Sequence, residues 1–258
     1  MADVLRIHRD GKRLQLVLHR PHVHNALNPE LVEALRSAVQ AAGEDPTVRY
    51  VVLSGEGPSF CAGADLEWMR SAAGAPEEEN RQDAARVFRT LEALATCPKP
   101  VVARVHGAVV GGGVGLVAAC DLAVAHPDAT FRLSEVRLGL LPAMILPFLL
   151  RKVHRGALPW AVLTAARVSA REALDLGLVQ AVSEDPDGVV DVWGEDLVAG
   201  GPTALAEAKR LLHVLPQLAW DQAREAAVDA IARARAGPEG QAGMRAFLEK
   251  RKPPWLDA

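Results

Sequence analysis

Leu14, Leu16 and Leu18 alternate with less apolar neighbours over residues 12–19. This is the period of a half-buried strand, and the strand-like run ahead of it makes it the second arm of a hairpin. The period then lengthens. Asn28 before Pro29 combines a capping side chain with proline at the first helical position, and Leu31, Leu35 and Val39 line one face until Gly43 ends the run. Residues 50–53 are a short apolar strand leading into SGEGPSFCAGADL, where glycines and a proline crowd a turn too elaborate for a simple reversal. A surface segment, SAAGAPEEEN, follows. From Pro76 to Cys97, acidic residues open an amphipathic helix whose stripe is Val87, Leu91, Leu94 and Ala95. PKPVVARVHGAVVGGGVGLVAACDLAVA then reads as strand, glycine turn, small-residue helix and strand, apolar enough to lie centrally. Beyond Glu135 the pattern is helical, over residues 158–164 and 170–176 and in alanine- and leucine-rich stretches up to Lys250.

Alternating strands and helices predict an α/β fold, and the helical tail predicts an appended segment. Gly200, Gly201 and Pro202 supply the hinge, so residues 1–200 are expected to form the core and 201–258 a C-terminal helical segment. The chain has 258 residues, 50% of them hydrophobic and 24% charged, ordinary for a globular protein. A net charge of −3 gives no overall affinity for nucleic acid. The charged, alternating N-terminal stretch lacks the apolar core of a secretion signal, and no run reaches membrane-spanning length. A soluble, cytoplasmic protein is expected. Cys61, Cys97 and Cys120 are widely spaced, suggesting neither a disulfide framework nor a metal site.

Two glycine turns and one carboxylate carry the candidate chemistry. In FCAGADL, small residues let the chain turn sharply, so that the Ala64 N–H can face a ligand oxygen unobstructed. Gly111, Gly112 and Gly113 open a helix whose first N–H groups are unpaired and lie at the positive end of its dipole. Two donors converging on a thioester carbonyl would stabilise an enolate, each by about 3 kcal/mol. Glu135, in FRLSEVRLGL, stands at a strand-to-loop junction among apolar neighbours. Partial burial there would raise its pKa toward the range useful for proton transfer.

HNALN (24–28), FCAGADL (60–66), HGAVVGGGVGLVAACDLAVA (106–125) and SEVRLGLLPA (134–143) together resemble the enoyl-CoA hydratase/isomerase, or crotonase, superfamily in content, order and spacing. The resemblance implies a spiral of ββα units with a C-terminal helical segment, assembled as trimers or dimers of trimers. It implies an acyl-coenzyme A substrate, the coenzyme being part of that substrate rather than a separate cofactor. By motif match, Ala64 and Gly112 supply the oxyanion N–H groups and Glu135 the acid/base. The segments around His24, Ala26, Ala62, Asp65, Leu66 and Gly111 would contact the coenzyme A portion. Lys250, in the final helix, would reach a neighbouring subunit's nucleotide phosphates. One departure matters: family hydratases with two catalytic glutamates carry the first at the position of Gly115. The combination of GGGVGL with SEVRLGLLPA resembles bacterial methylglutaconyl-CoA hydratases of leucine breakdown, which also lack that glutamate. A distal substrate carboxylate would then need a cation, Arg70 or Arg137.

GGGVG meets a dinucleotide-binding spacing only loosely. Cys61 has apolar neighbours and reads as packing rather than as a nucleophile. Glu135 could instead pair with Arg132 or Arg137 on the surface. His106 reads as hydrogen-bonded structure, and residues 250–252 as a solvated charge run. The alternatives to a hydratase are an isomerase using a single glutamate and a non-catalytic acyl-CoA- or RNA-binding protein. The last is opposed by the acidic balance and the lack of aromatic-basic strips.

Overall fold

Gly11, at φ +54°, turns β1 (Leu5–Asp10) back onto β2 (Arg13–Leu18) in antiparallel register, with Asp10 opposite Arg13. The computed structural model describes residues 4–256. α1 (Pro29–Glu44) starts where Asn28 accepts a 2.9 Å hydrogen bond from the Leu31 N–H, a cap worth about 1 kcal/mol. Its buried stripe leads to β3 (Tyr50–Gly55), which pairs in parallel with β2.

α2 (Leu66–Ala72) and α3 (Glu77–Thr96) follow, so the surface segment shrinks to residues 73–76. The sequence expectation ran too wide here because Asp65 caps α2 and the acidic run starts α3 directly. β4 (Val101–Val105), β5 (Ala108–Val110), α4 (Gly112–Ala119), β6 (Leu122–Ala125) and β7 (Thr130–Arg132) complete the region around the second glycine turn.

The later half holds α5 (Leu146–Lys152), α6 (Leu158–Leu163), β8 (Arg167–Ser169), α7 (Ala170–Asp175), β9 (Ala181–Val182) and α8 (Pro186–Ala199). It is therefore not purely helical, as the sequence suggested. β8 pairs antiparallel with β7, and β9 pairs parallel with β6. Strands this short carry too few alternating positions to register as a period. α9 (Pro202–Val214), α10 (Trp220–Ala236) and α11 (Pro238–Leu248) close the chain.

A six-stranded sheet runs β1-β2-β3-β4-β6-β9, and a smaller one β5-β7-β8. Alternation along the central strands sorts side chains cleanly between two cores. Val51, Leu53, Val101 and Ala103 face the main core with α1, α3 and α4. Tyr50, Val52, Val102 and Val124 face Val190 of α8. Isolated bridges join Cys61 to Val109 of the smaller sheet and Ala64 to Leu27, so the first glycine turn lies along that sheet's β5 edge. Residues 200 and 201 lie between α8 and α9, and buried Lys209 of α9 ties to the core through a 2.7 Å ion pair with Asp121. No helix among the described residues is long and apolar enough to cross a membrane.

Candidate active site

The first donor is set by bonds on either side of it. Leu27 N–H donates to the Gly63 carbonyl (2.7 Å) and Asp65 N–H to the Leu27 carbonyl (2.8 Å), which turns the Ala64 N–H away from Leu27. Gly63, at φ +96°, makes the bend, and a methyl group there would stand 3.1 Å from the Val110 carbonyl oxygen. The HNALN motif forms the outer wall. Ala62 N–H donates to the His24 carbonyl (2.9 Å), and His24 Nδ1 lies 3.0 Å from Ser59 Oγ.

Arg20, which sequence reasoning missed, joins the two motifs. Its guanidinium donates to the Ala26 carbonyl and pairs at 2.8 Å with Asp65, both side chains being largely buried. Burial alone would push the Asp65 carboxyl up. The Arg20 guanidinium and the N–H groups of Glu67 and Trp68 more than reverse this, holding it below the usual range. Asp65 thus spends its side chain on Arg20 and on capping α2, while Leu66 projects outward, 68% exposed.

The second donor begins α4. Gly111, at φ +49°, donates its N–H to the Arg132 carbonyl (2.9 Å), and the helix bonds start at its own carbonyl. Close approach explains the glycines: a methyl on Gly113 would stand 2.4 Å from the Cys61 carbonyl oxygen, so the two turns touch backbone to backbone. No backbone acceptor among the described residues is paired with the N–H of Ala64 or of Gly112. Two free donors on adjoining turns are what an oxyanion requires.

Glu135 completes the cluster. It opens a short 3-10 turn, Glu135–Leu138, just after β7. A methyl on Gly111 would lie 3.0 Å from Glu135 Oε1 and 4.0 Å from Gly63 Cα, so the carboxyl reaches over the junction of both glycine turns. Its Oε2 is buried without a hydrogen-bond partner. Burial raises its pKa, opposed only by its own backbone N–H. The alternative, a surface pairing of Glu135 with Arg132 or Arg137, is not formed among the described residues. Arg132 Nε donates to the Ala165 carbonyl (3.0 Å) and Arg137 Nη2 to the Thr164 carbonyl (3.4 Å).

Cys61 is fully buried and its thiol is pushed up to about 12 by burial, as packing demands. His106 Nε2 donates to the Gly57 carbonyl at 2.8 Å. At Gly115 a methyl would meet Ile145 Cγ1 at 3.1 Å and Leu91 Cδ1 at 3.2 Å, so hydrocarbon fills the surroundings of that position. Arg70 is exposed in the last turn of α2, and Arg137 is exposed in the Glu135 turn. Lys250 is not brought to this cluster. It is exposed beyond the end of α11, at φ +54°.

Residues 12–258 match the enoyl-CoA hydratase/isomerase family. A Thermus thermophilus protein bearing an enoyl-CoA hydratase name is 36% identical, the match covering 92% of this chain and 94% of the relative. The crotonyl-CoA hydratase of Syntrophomonas wolfei is 32% identical over 95% of both. The crystal structure of an enoyl-CoA hydratase from Shewanella pealeana superposes with a TM-score of 0.95 at 34% identity, covering 98% of this chain and 96% of that one. With its paired glycine turns and its ββα architecture, the chain belongs to the enoyl-CoA hydratase/isomerase family and has the crotonase fold.

Proposed function

We propose that this enzyme adds water reversibly to the double bond of 3-methylglutaconyl-CoA, giving 3-hydroxy-3-methylglutaryl-CoA in leucine breakdown. The observation that carries the reading is the single buried carboxyl with an unpartnered oxygen, set over two turns that each offer an unpaired N–H. In this scheme Glu135, ionised, takes a proton from water as the oxygen bonds to C3. The electron pair of the double bond moves onto the thioester oxygen, where the N–H groups of Ala64 and Gly112 stabilise the enolate. Glu135 then returns the proton to C2, so that one carboxyl serves both halves of the addition. The segments around His24, Ala26, Ala62, Asp65, Leu66 and Gly111 are assigned to the coenzyme A portion. Arg70 or Arg137 is assigned to the distal carboxylate, and Lys250 to the nucleotide of a neighbouring subunit. Residues 201–258 are read as the oligomerisation segment of a trimer or dimer of trimers. The exposure of Trp220, Phe247 and Leu248 supports this.

The absence of a carboxylate at Gly115 favours a second reading, in which Glu135 shuttles one proton between C2 and C4 as an isomerase. Turnover in oxygen-18 water separates the two. Hydration places the heavy oxygen in the product, whereas isomerisation leaves the mass of the thioester unchanged. Comparing crotonyl-, methylcrotonyl- and methylglutaconyl-CoA in the same assay assigns the acyl group. Absence of turnover with methylglutaconyl-CoA alongside efficient hydration of crotonyl-CoA would reject the branched substrate.

A further inference from the structure

Glu135 makes no ion pair and no hydrogen bond to another side chain among the described residues, so its location must come from the backbone that carries it. That backbone converges on Arg132, the last residue of β7. The Arg132 carbonyl receives the Gly111 N–H at 2.9 Å, which suspends the second glycine turn from β7. On its other edge β7 is paired with β8, Arg132 lying opposite Arg167. The side chain makes a third connection, from Nε to the Ala165 carbonyl at 3.0 Å.

Ala165 is an unusual acceptor. It is fully buried and has φ +49°, a left-handed conformation that costs a non-glycine residue about 1 kcal/mol or more and persists only where its surroundings fix it. Its carbonyl is therefore a firm anchor. Arg137 makes a longer contact from the far side of Glu135 to the adjoining Thr164 carbonyl, 3.4 Å.

We infer that Arg132 is a positioning residue: by bonding Ala165 it fixes the Glu135 turn relative to the Gly111–Gly112 donor turn. The role is mechanical rather than electrostatic, since the Arg132 side chain bonds the Ala165 carbonyl and not the Glu135 carboxyl. For catalysis this inference rests on the reading of Glu135 as the acid/base, while the placement of the turn can be measured without turnover.

Two variants separate the bond from the charge. Glutamine places a nitrogen donor where arginine has Nε, and methionine places a methyl group there. Arg132→Gln is expected to keep kcat within about threefold of wild type. Arg132→Met is expected to lower kcat by about tenfold to a hundredfold with KM changed by less than about threefold, because displacement of a reacting group by about 1 Å costs up to about a hundredfold. Carbon-13 NMR titration of Glu135 supplies the readout independent of activity. Its raised pKa should survive in Arg132→Gln and fall toward the ordinary glutamate value in Arg132→Met, as the freed turn becomes solvated. Loss of the raised pKa in the glutamine variant, or its retention in the methionine variant with wild-type kcat, would overturn the assignment. Should Arg132→Met not fold, Arg132→Ala is read in the same way, and the glutamine arm still decides. If wild type turns over none of the enoyl-CoA substrates while the NMR pattern holds, the hydratase reading fails and the positioning role stands.

Discussion

At position 115, a side chain would run into Ile145 and Leu91, whereas Glu135 carries a carboxyl whose buried Oε2 has no partner among the described residues. One position is filled by hydrocarbon from α3 and the segment before α5. The other holds a buried carboxyl oxygen. Both adjoin the Gly112 donor, Gly115 lying one turn along α4 from it. The difference teaches that Gly115 does not sit in a pocket prepared for a second carboxyl. The neighbourhood of Gly115 is built for packing, and in the proposed reaction acid/base work falls to Glu135 alone.

The largest test of that contrast is Glu135→Gln. The amide keeps the shape but cannot take up a proton, so kcat for hydration should fall about a thousandfold, within the range usual for removal of a general base. Affinity for an unreactive acyl-CoA, followed by calorimetry, should change little. Equal turnover would remove Glu135 from the mechanism.

Gly113→Ala sharpens the contrast from the donor side, because its methyl would meet a backbone carbonyl that cannot rotate away. Denaturation in urea should show a loss of about 3 kcal/mol. Gly115→Glu should lose about 2 kcal/mol from crowding and from an unpaired buried carboxyl, and should not raise turnover. A faster Gly115→Glu enzyme would break the comparison outright.

The smallest effect concerns pH and stability. Burial raises the Glu135 pKa, so the folded protein favours the protonated carboxyl. Its contribution is fully present below the unfolded pKa and is lost as pH rises through the raised folded value. Glu135→Gln should lack that step, so the variant gains relative to wild type on going from acid to neutral pH. Melting temperatures across that range check the sign.

The hairpin, the Asn28 cap, both glycine turns and the Glu135 position were legible because each is a local signature: a period, a capping pair, a glycine cluster, or a carboxylate beside apolar residues. What could not be read is pairing at a distance. Arg20 with Asp65, Arg132 with Ala165, and the packing of Leu91 and Ile145 around Gly115 join segments whose spacing carries no period. β8 and β9 escaped because strands of so few residues borrow their conformation from partners already in place. Lys250 shows the limit of motif transfer, since its assigned role needs a second subunit and nothing within one chain brings it to the cluster.

The buried ammonium of Lys209 has a bearing on biosynthesis. It satisfies the Leu94 and Lys99 carbonyls and neutralises Asp121, although it lies 115 positions after Leu94 in the chain. A ribosome delivers the acid and both acceptors well before the cation that answers them. A nascent or prematurely terminated polypeptide ending ahead of α9 therefore lacks the ammonium that pairs with Asp121, whose carboxylate then keeps the Val101 N–H as its partner.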